Sequence, residues 1–168
     1  QFTGCLAPFG YRKDPEDKNH LLIDEDTAPI VRRLFAWALE GHDPNYIRRR
    51  LEEERIPCPT YWNRVRGFRN VSTKWEKKDP VNGRYMWDFS VIKDILMNPV
   101  YTGAIASQKK EYRFKIGTIG EKKPEDWIVV ENQHEPLVDR KTFDIVQRKL
   151  KSRQRPRQTG EISLFAGL

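Results

Sequence analysis

Basic and aromatic residues alternate along residues 60–85. Seven lysines and arginines lie there against two acidic residues, and five aromatic residues are interleaved with them. Cationic side chains contact phosphates, and planar aromatic side chains pack on sugars or stack on bases, so the stretch favours nucleic-acid binding. The alternative is a loop whose aromatics fold back to the core. The basic residues are Arg64, Arg66, Arg69, Lys74, Lys77, Lys78 and Arg84; the aromatic residues are Tyr61, Trp62, Phe68, Trp75 and Tyr85.

A short helix is predicted directly after this stretch, from Asp88 to about Met97. Its apolar residues recur at three- and four-residue steps, as in a helix with one buried stripe: Phe89, Ile92, Ile95 and Leu96. Asp88 can cap the first turn, and Pro99 disfavours helical geometry in the residue before it. The opposite face carries Ser90, Lys93, Asp94 and Met97. Ser90 and Lys93 are candidates for contacts with base edges in the major groove, and a packing helix with a solvated back is the alternative.

The distribution of charge indicates a polyanionic partner. The whole chain has a formal net charge of +7, and residues 61–115 alone hold twelve Lys/Arg against five Asp/Glu. Residues 1–60 and 116–168 are close to neutral by comparison. A basic middle segment between near-neutral flanks predicts one face that binds a polyanion.

The sequence offers little support for catalysis or metal binding. Ser72, Ser90 and Ser107 have no identifiable base, and the three histidines, His20, His42 and His134, lie far apart. Cys5 and Cys58 form no CxxC pair, so neither a disulfide framework nor a zinc site is supported. We therefore predict no cofactor and no metal, and no apolar run approaches membrane-spanning length.

Three further helices are predicted to carry the core. The first is residues 25–40, with an apolar stripe at Ile30, Val31, Leu34, Phe35, Ala38 and Leu39 and a C-terminal Gly41. Asp43 and Pro44 open the second, in which three arginines pair with three glutamates four residues later or else bind DNA; we favour pairing. Asp139 opens the last, with Phe143, Val146 and Leu150 buried.

Short strands complete the expected architecture. Phe9, Tyr11 and Leu22 are expected to hold strand-like chain to the core on either side of a charged run, residues 13–20, that forms a hairpin tip or a loop. Residues 104–106, 112–116 and 127–130 are strand candidates, with a loop at 120–126. The fold class is therefore α+β: mainly helical, with a helix-turn-helix-like core and a small antiparallel β-sheet.

Several motifs resemble the recombinase domain of large serine recombinases. The resemblance runs through Pro8-Phe9-Gly10-Tyr11, Ile23-Asp24, residues 30–35, residues 47–51 with Ile56-Pro57, and His134-Glu135-Pro136-Leu137-Val138. Its most distinctive part is residues 87–92 with Leu96-Met97-Asn98-Pro99-Val100-Tyr101-Thr102-Gly103. It spans nearly the whole chain and points to site-specific recombinases of mobile elements such as conjugative transposons.

The resemblance implies a domain organisation. Residues 1–155 would form the DNA-binding recombinase domain, and residues 156–168 a linker toward a zinc ribbon that lies outside this sequence. The nucleophilic serine of such proteins lies in an N-terminal catalytic domain, also outside it, so this fragment is predicted not to be an enzyme. The parent would exchange DNA strands through a phosphoserine link, self-associate through the other domains and work in the bacterial cytoplasm on its DNA.

The functional prediction is sequence-specific duplex DNA binding at an attachment site. The predicted DNA-binding residues are Arg64, Arg66, Arg69, Lys74, Lys77, Arg84, Ser90, Lys93, Arg153 and Arg155. The loop arginines are expected to hold phosphates, and Ser90 and Lys93 to read bases. A single-stranded nucleic-acid or RNA binder, a metal-dependent nuclease and a protein-interaction scaffold remain as alternatives.

Overall fold

A computed structural model describes residues 2, 4–68, 78–108, 110–113, 118–122 and 126–152. Within these residues it shows an α+β architecture, rich in helix, which confirms the predicted fold class. The helices are α1 (Ala28–Glu40), α2 (Pro44–Glu53), α3 (Pro59–Val65), α4 (Phe89–Met97) and α5 (Arg140–Ser152). The strands are β1 (Tyr11–Lys13), β2 (Leu21–Ile23), β3 (Ile105–Ser107), β4 (Lys110–Arg113), β5 (Thr118–Glu121) and β6 (Ile128–Val130). In the same residues, no helix is long and apolar enough to cross a membrane.

The strands pair antiparallel in three two-stranded sheets among the described residues: β1 with β2, β3 with β6, and β4 with β5. The hairpin predicted around residues 13–20 is confirmed. Its core contacts differ in detail, because Leu21 rather than Leu22 is the fully buried leucine of β2. The loop predicted at residues 120–126 was partly wrong, since β5 extends to Glu121.

One hydrophobic core joins the helices. The central helix, α1, contacts α2, α4 and α5, and α2 also packs on α4. The apolar stripe of α1 buries Val31, Leu34, Phe35 and Ala38, while Ile30 and Leu39 pack at its margin. Removing this much apolar surface from water is the main source of stability for a chain of this size. Interpretation of the helices as a helix-turn-helix relative stays a prediction.

Local sequence signals fix most helix ends as predicted. The Asp43 carboxylate accepts the amides of Asn45 and Tyr46 at distances of 2.7 and 2.8 Å, and Asp88 accepts the Ser90 amide at 2.9 Å. Gly41 ends α1 with φ of 104°, in the left-handed region that glycine tolerates. The start of α1 was predicted too early, because Thr27 occupies the cap position and residues 24–26 form the turn before it.

Helix α5 holds two other helices at their C-terminal ends. The Gln147 side-chain amide donates to the Leu96 carbonyl at 2.6 Å, and the Lys149 ammonium donates to the Leu39 carbonyl at 2.5 Å. Carbonyls in the last turn of a helix have no intrahelical partner, so both contacts satisfy otherwise orphaned acceptors. Together they fix α4 relative to α1, and thereby orient the exposed face of α4.

Candidate nucleic-acid interface

The first turn of α4 is built around the Asp88 carboxylate. One of its oxygens accepts both the amide and the hydroxyl of Ser90, each at 2.9 Å. The hydroxyl proton of Ser90 is therefore engaged in the cap, whereas its oxygen lone pairs still face solvent and can accept a hydrogen bond. The carboxylate also complements the positive end of the helix dipole. The cap fixes where α4 begins, and Ser90 lies exposed on its first turn.

The exposed side of α4 agrees with the predicted polar face. Ile92, Ile95 and Leu96 are buried, whereas Ser90 and Asp94 are exposed and Lys93 is half-buried. A lysine that packs its alkyl stem against the helix surface keeps its charge in water. A donor, an acceptor and a carboxylate thus lie along one side of a rigid element.

Phe89 is a correction to the predicted buried stripe, because its side chain is 42% exposed. Two geometric facts explain the difference. Phe89 is the first residue of α4, and Cα–Cβ bonds tilt toward the helix N-terminus, so its ring projects beyond the packed part of the helix. At 100° per residue it also lies at the margin of the arc defined by Ile92, Ile95 and Leu96. Helical spacing alone did not reveal this.

Helix α3 lies in the stretch that the sequence indicated only as basic and aromatic. It begins at Pro59 and ends at Val65, and the Cys58 amide before it donates to the Arg84 carbonyl at 2.8 Å. The Trp87 indole donates to the Ile56 carbonyl at 2.8 Å, which attaches the chain before α4 to the chain before α3. The segments that precede α3 and α4 are therefore held side by side by one backbone hydrogen bond and one bond from the Trp87 indole to a backbone carbonyl.

Arg66 is engaged within the molecule. Its guanidinium lies 2.6 Å from a carboxylate oxygen of Asp24 and 3.7 Å from one of Asp26. Asp24 is buried, and it also accepts the hydroxyl of Thr27, which in turn accepts the Gly10 amide at 3.2 Å. This network joins the end of α3 to the β1–β2 hairpin. It gives Arg66 a structural role that the sequence did not indicate, while a phosphate contact by Arg66 stays a prediction.

Arg84 and Arg66 both lie over aromatic rings. The Arg84 guanidinium carbon is 5.9 Å from the ring centroid of Tyr61 and 5.4 Å from that of Tyr85, and Arg66 is 5.4 Å from Trp62. Guanidinium groups are attracted to the faces of aromatic rings at such distances. The alternation of basic and aromatic residues therefore serves, in part, to position arginines on rings of the same chain.

The arginines of α2 behave as predicted from the i,i+4 spacing. Arg48 lies 2.8 Å from Glu52, and Arg50 lies 3.5 Å from Glu53 and 3.3 Å from Glu54. Such surface pairs contribute little to stability, but they neutralise the local charge. The prediction that these arginines pair with glutamates is confirmed for Arg48 and Arg50.

The structure thus places half of the predicted DNA-binding residues. Arg64 lies exposed on α3, Arg66 follows α3, Arg84 lies in a 3₁₀ turn, and Ser90 and Lys93 lie on α4. The others lie outside the described residues: Arg69, Lys74, Lys77, Arg153 and Arg155. No group of three or more His, Cys, Asp or Glu side chains that could hold a metal ion occurs among the residues the structure describes.

Comparison with known proteins identifies the family. The Recombinase family model matches residues 25–153. The uncharacterized protein YefB of Bacillus subtilis (strain 168) is 37% identical over 86 residues, which are 50% of this chain and 28% of YefB. The chain thus spans less than a third of the length of this relative.

Two solved structures are similar at low identity. One, described as an LSR–DNA complex, is 16% identical, covers 89% of this chain and 32% of its own, and has a TM-score of 0.49. The other, described by the sequence requirements of the Listeria innocua prophage attP site, is 18% identical, covers 89% and 44%, and also has a TM-score of 0.49. Because the family model matches most of the sequence, this chain belongs to the Recombinase family, that of the large serine recombinases its motifs resemble.

Proposed function

We propose that this chain binds duplex DNA sequence-specifically, as the recombinase domain of a site-specific serine recombinase. The observation that carries the proposal is the side of α4 with Ser90, Lys93 and Asp94, which lies outward on a helix whose other side is locked into the core. An α-helix fits the major groove, where each base pair presents its own pattern of donors and acceptors. A capped helix fixed at both ends can present such a face at little entropic cost.

The roles of the basic residues follow from their positions. Lys93 donates to base-edge acceptors and Ser90 accepts from base-edge donors, while Arg64 and Arg84 contact phosphates beside the groove. Arg69, Lys74, Lys77, Arg153 and Arg155 are proposed as further phosphate contacts on the grounds of their charge alone. The concentration of positive charge in residues 61–115 supports this division.

Duplex DNA is preferred over single strands because of what the aromatic rings already contact. Single-strand binders need free ring faces on which bases stack. Arg84 lies near the ring centroids of both Tyr61 and Tyr85, and Arg66 lies near that of Trp62. Stacking of bases on these rings would have to displace the guanidinium groups.

The proposal extends to the parent protein. We infer a recombinase that integrates or excises a mobile element in the bacterial cytoplasm and self-associates through its other domains. In it, residues 1–155 recognise the attachment site and residues 156–168 lead toward a zinc ribbon. The family assignment and the motifs of the sequence support this context.

A salt titration tests the binding proposal. Fluorescence anisotropy would measure affinity for labelled duplex DNA, single-stranded DNA and single-stranded RNA. If the chain makes about six phosphate contacts, duplex affinity falls by about 10³ between 50 and 200 mM salt. Affinity that does not change with salt, or that is equal for single-stranded RNA, would overturn the proposal.

A pair of lysine variants tests the role of α4. Lys93→Ala should narrow the affinity gap between a selected duplex and a random one, by about 1–3 kcal/mol if a good base contact is lost. Lys141→Ala removes the same charge from an exposed position on α5 and serves as the control. Equal effects of the two variants on the gap would show that Lys93 does not read bases.

A further inference from the structure

An aromatic side chain lies at the entry of the proposed reading helix without a role in the core. Phe89 is the first residue of α4 and is 42% exposed, although Ile92, Ile95 and Leu96 on the same helix are fully buried or nearly so. Phe89 and Lys93 are four residues apart, so they lie next to each other on the same side of α4. The ring therefore belongs to the surface on which the proposed base contacts lie.

The groove beside Phe89 is lined by apolar and charged groups. It is open, has a volume of about 450 Å³, and separates α2, the start of α3 and the first turn of α4. Phe89, Val91 and Met86 supply apolar atoms to its wall. Its charged side chains are Arg48, which pairs with Glu52, together with Lys78 and Asp88. Lys78 is exposed, and the structure gives it no ion pair among the described residues. Lys78 can therefore contact a phosphate while the exposed ring of Phe89 contacts an apolar group of the same polyanion.

In duplex DNA, one base presents an apolar group in the major groove. Thymine carries a 5-methyl group there, whereas the edges of adenine, guanine and cytosine present hydrogen-bond donors and acceptors. A phenylalanine has no group that could satisfy those donors and acceptors, but its ring can cover a methyl group. Its position also suits this contact, because N-terminal residues of a recognition helix approach the bases most closely.

We propose that Phe89 is a specificity residue that contacts the 5-methyl group of a thymine in the bound DNA. This inference rests on the proposed duplex-binding function and adds to it the identity of one recognised base. A second copy of this chain, or another protein, seated on Phe89 would be a different outcome of the test described next.

Replacing thymine by uracil removes only the methyl group, which makes the test specific. A binding site is first selected from a pool of duplexes with a randomised centre, and each thymine of the selected site is then changed to uracil in turn. At one position the wild-type chain should lose about fourfold in affinity, as expected for exposing one buried methyl group. For Phe89→Ala, thymine and uracil at that position should bind equally.

A second phenylalanine provides a matched control. Phe68 is 44% exposed but follows α3 and lines a different cavity, with Cys5, Tyr11 and Arg66. Phe68→Ala should keep the full difference between thymine and uracil. Circular dichroism on each variant checks the fold, and Phe89→Leu, which retains an apolar side chain, should keep part of the difference.

The possible failures separate the two proposals. If the chain binds no duplex, the proposed function fails and this inference fails with it. If it binds duplex but no thymine-to-uracil change matters, or if the difference persists in Phe89→Ala, only the role of Phe89 is overturned. Loss of self-association in Phe89→Ala, measured by sedimentation and without a change in thymine preference, would assign the ring to a protein contact instead.

Discussion

The ion pair between Arg66 and Asp24 shows that a residue predicted to bind DNA because of its charge can also stabilise the fold. Asp24 is 5% exposed, so its carboxylate has lost most of its water and depends on Arg66 and Thr27 for compensation. The partners are 42 positions apart in the sequence. The pairing is therefore a product of the fold, and the loop composition gave no signal of it.

Arg66→Ala should lower the free energy of unfolding by about 2 kcal/mol, because it leaves the buried Asp24 carboxylate without its cation. Chemical denaturation measures this. Arg49→Ala is the control, since Arg49 is exposed on α2 and should change stability by at most about 0.5 kcal/mol. If Arg66 also contacts a phosphate, the folded variant should show a salt slope for DNA binding reduced by about one. Equal stability losses in the two variants would contradict the structural role.

His134 is a buried histidine whose protonation the fold disfavours. Its Nε2 atom lies 2.7 Å from the Val100 carbonyl, to which it donates, and its Nδ1 atom is buried without a partner among the described residues. The Tyr11 ring covers it edge-on at 4.8 Å. Burial lowers the pKa of His134 below its ordinary value, His20 acts weakly in the same direction, and the Val100 carbonyl opposes both.

The lowered pKa predicts a pH-dependent stability. The unfolded chain binds a proton at His134 below about pH 6.5, whereas the folded chain resists protonation until lower pH. The stabilising contribution is therefore complete above about pH 6.5 and is lost as the pH falls toward the lowered pKa. Denaturation at several pH values should show this loss in the wild type and a smaller one in His134→Gln. An unchanged pH profile in the variant would rule out His134 as the cause.

At the scale of elements, signals contained in a few neighbouring residues were predictable. The caps at Asp43 and Asp88, the left-handed Gly41 and the arginine–glutamate pairs of α2 all depend on contacts within four residues. Elements whose position depends on residues distant in the sequence were not predictable. Helix α3 is short and has no buried residue of its own, so the sequence lacks the apolar periodicity from which a helix could be predicted. Exposure of Phe89 likewise depends on what packs around the start of α4.

The connection from α4 to β3 is fixed by a close backbone approach at Gly103. Gly103 has φ of 82°, and a Cβ added there would lie 2.8 Å from the His134 carbonyl oxygen. The Gln133 amide donates to the Gly103 carbonyl at 2.9 Å, and the amides of Leu137 and Val138 donate to the Tyr101 carbonyl at 3.0 Å. Residues 133–138 therefore dock on this turn, which anchors the end of α4 to the chain before α5.

Two glycine variants separate backbone strain from steric clash. Gly67 has φ of 76°, and no atom of the described residues lies within 4 Å of an added Cβ. Gly67→Ala should cost only the left-handed strain, about 1–2 kcal/mol. Gly103→Ala adds the clash with the His134 carbonyl and should cost about 1–3 kcal/mol more. Thermal or chemical denaturation compares them, and similar losses would mean that the approach at Gly103 relaxes easily.

At the scale of the whole molecule, the ion pairs and the excess positive charge lie mostly in different parts of the chain. Several acidic residues of the near-neutral residues 1–60 pair with arginines, as in Glu52 with Arg48, Glu54 with Arg33 and Asp24 with Arg66. Arg66 is the one cation of residues 61–115 in these three pairs, so most of the positive charge of that segment is left to set the electrostatic potential of one region. The family and the fold class were predictable because motifs and helix periodicity span the chain, whereas the site could be predicted only as a region.

The hydrogen bonds of the serine side chains predict that the chain binds DNA without cleaving it. Nucleophilic serines need an adjacent base, but the serine hydroxyls whose hydrogen bonds the structure gives are committed elsewhere: Ser90 to the Asp88 cap, and Ser107 and Ser152 to the carbonyls of Ile128 and Lys149. Asp88 itself accepts the amide and the hydroxyl of Ser90 as the helix cap. Purified chain incubated with supercoiled plasmid, with or without magnesium, should therefore leave the plasmid supercoiled while still retarding it in a gel.

Ser90→Ala serves as the decisive comparison, because Ser90 is both exposed and bonded to a carboxylate. Nicking by the wild type that disappears in Ser90→Ala would show that this pair is a catalytic site and not a helix cap.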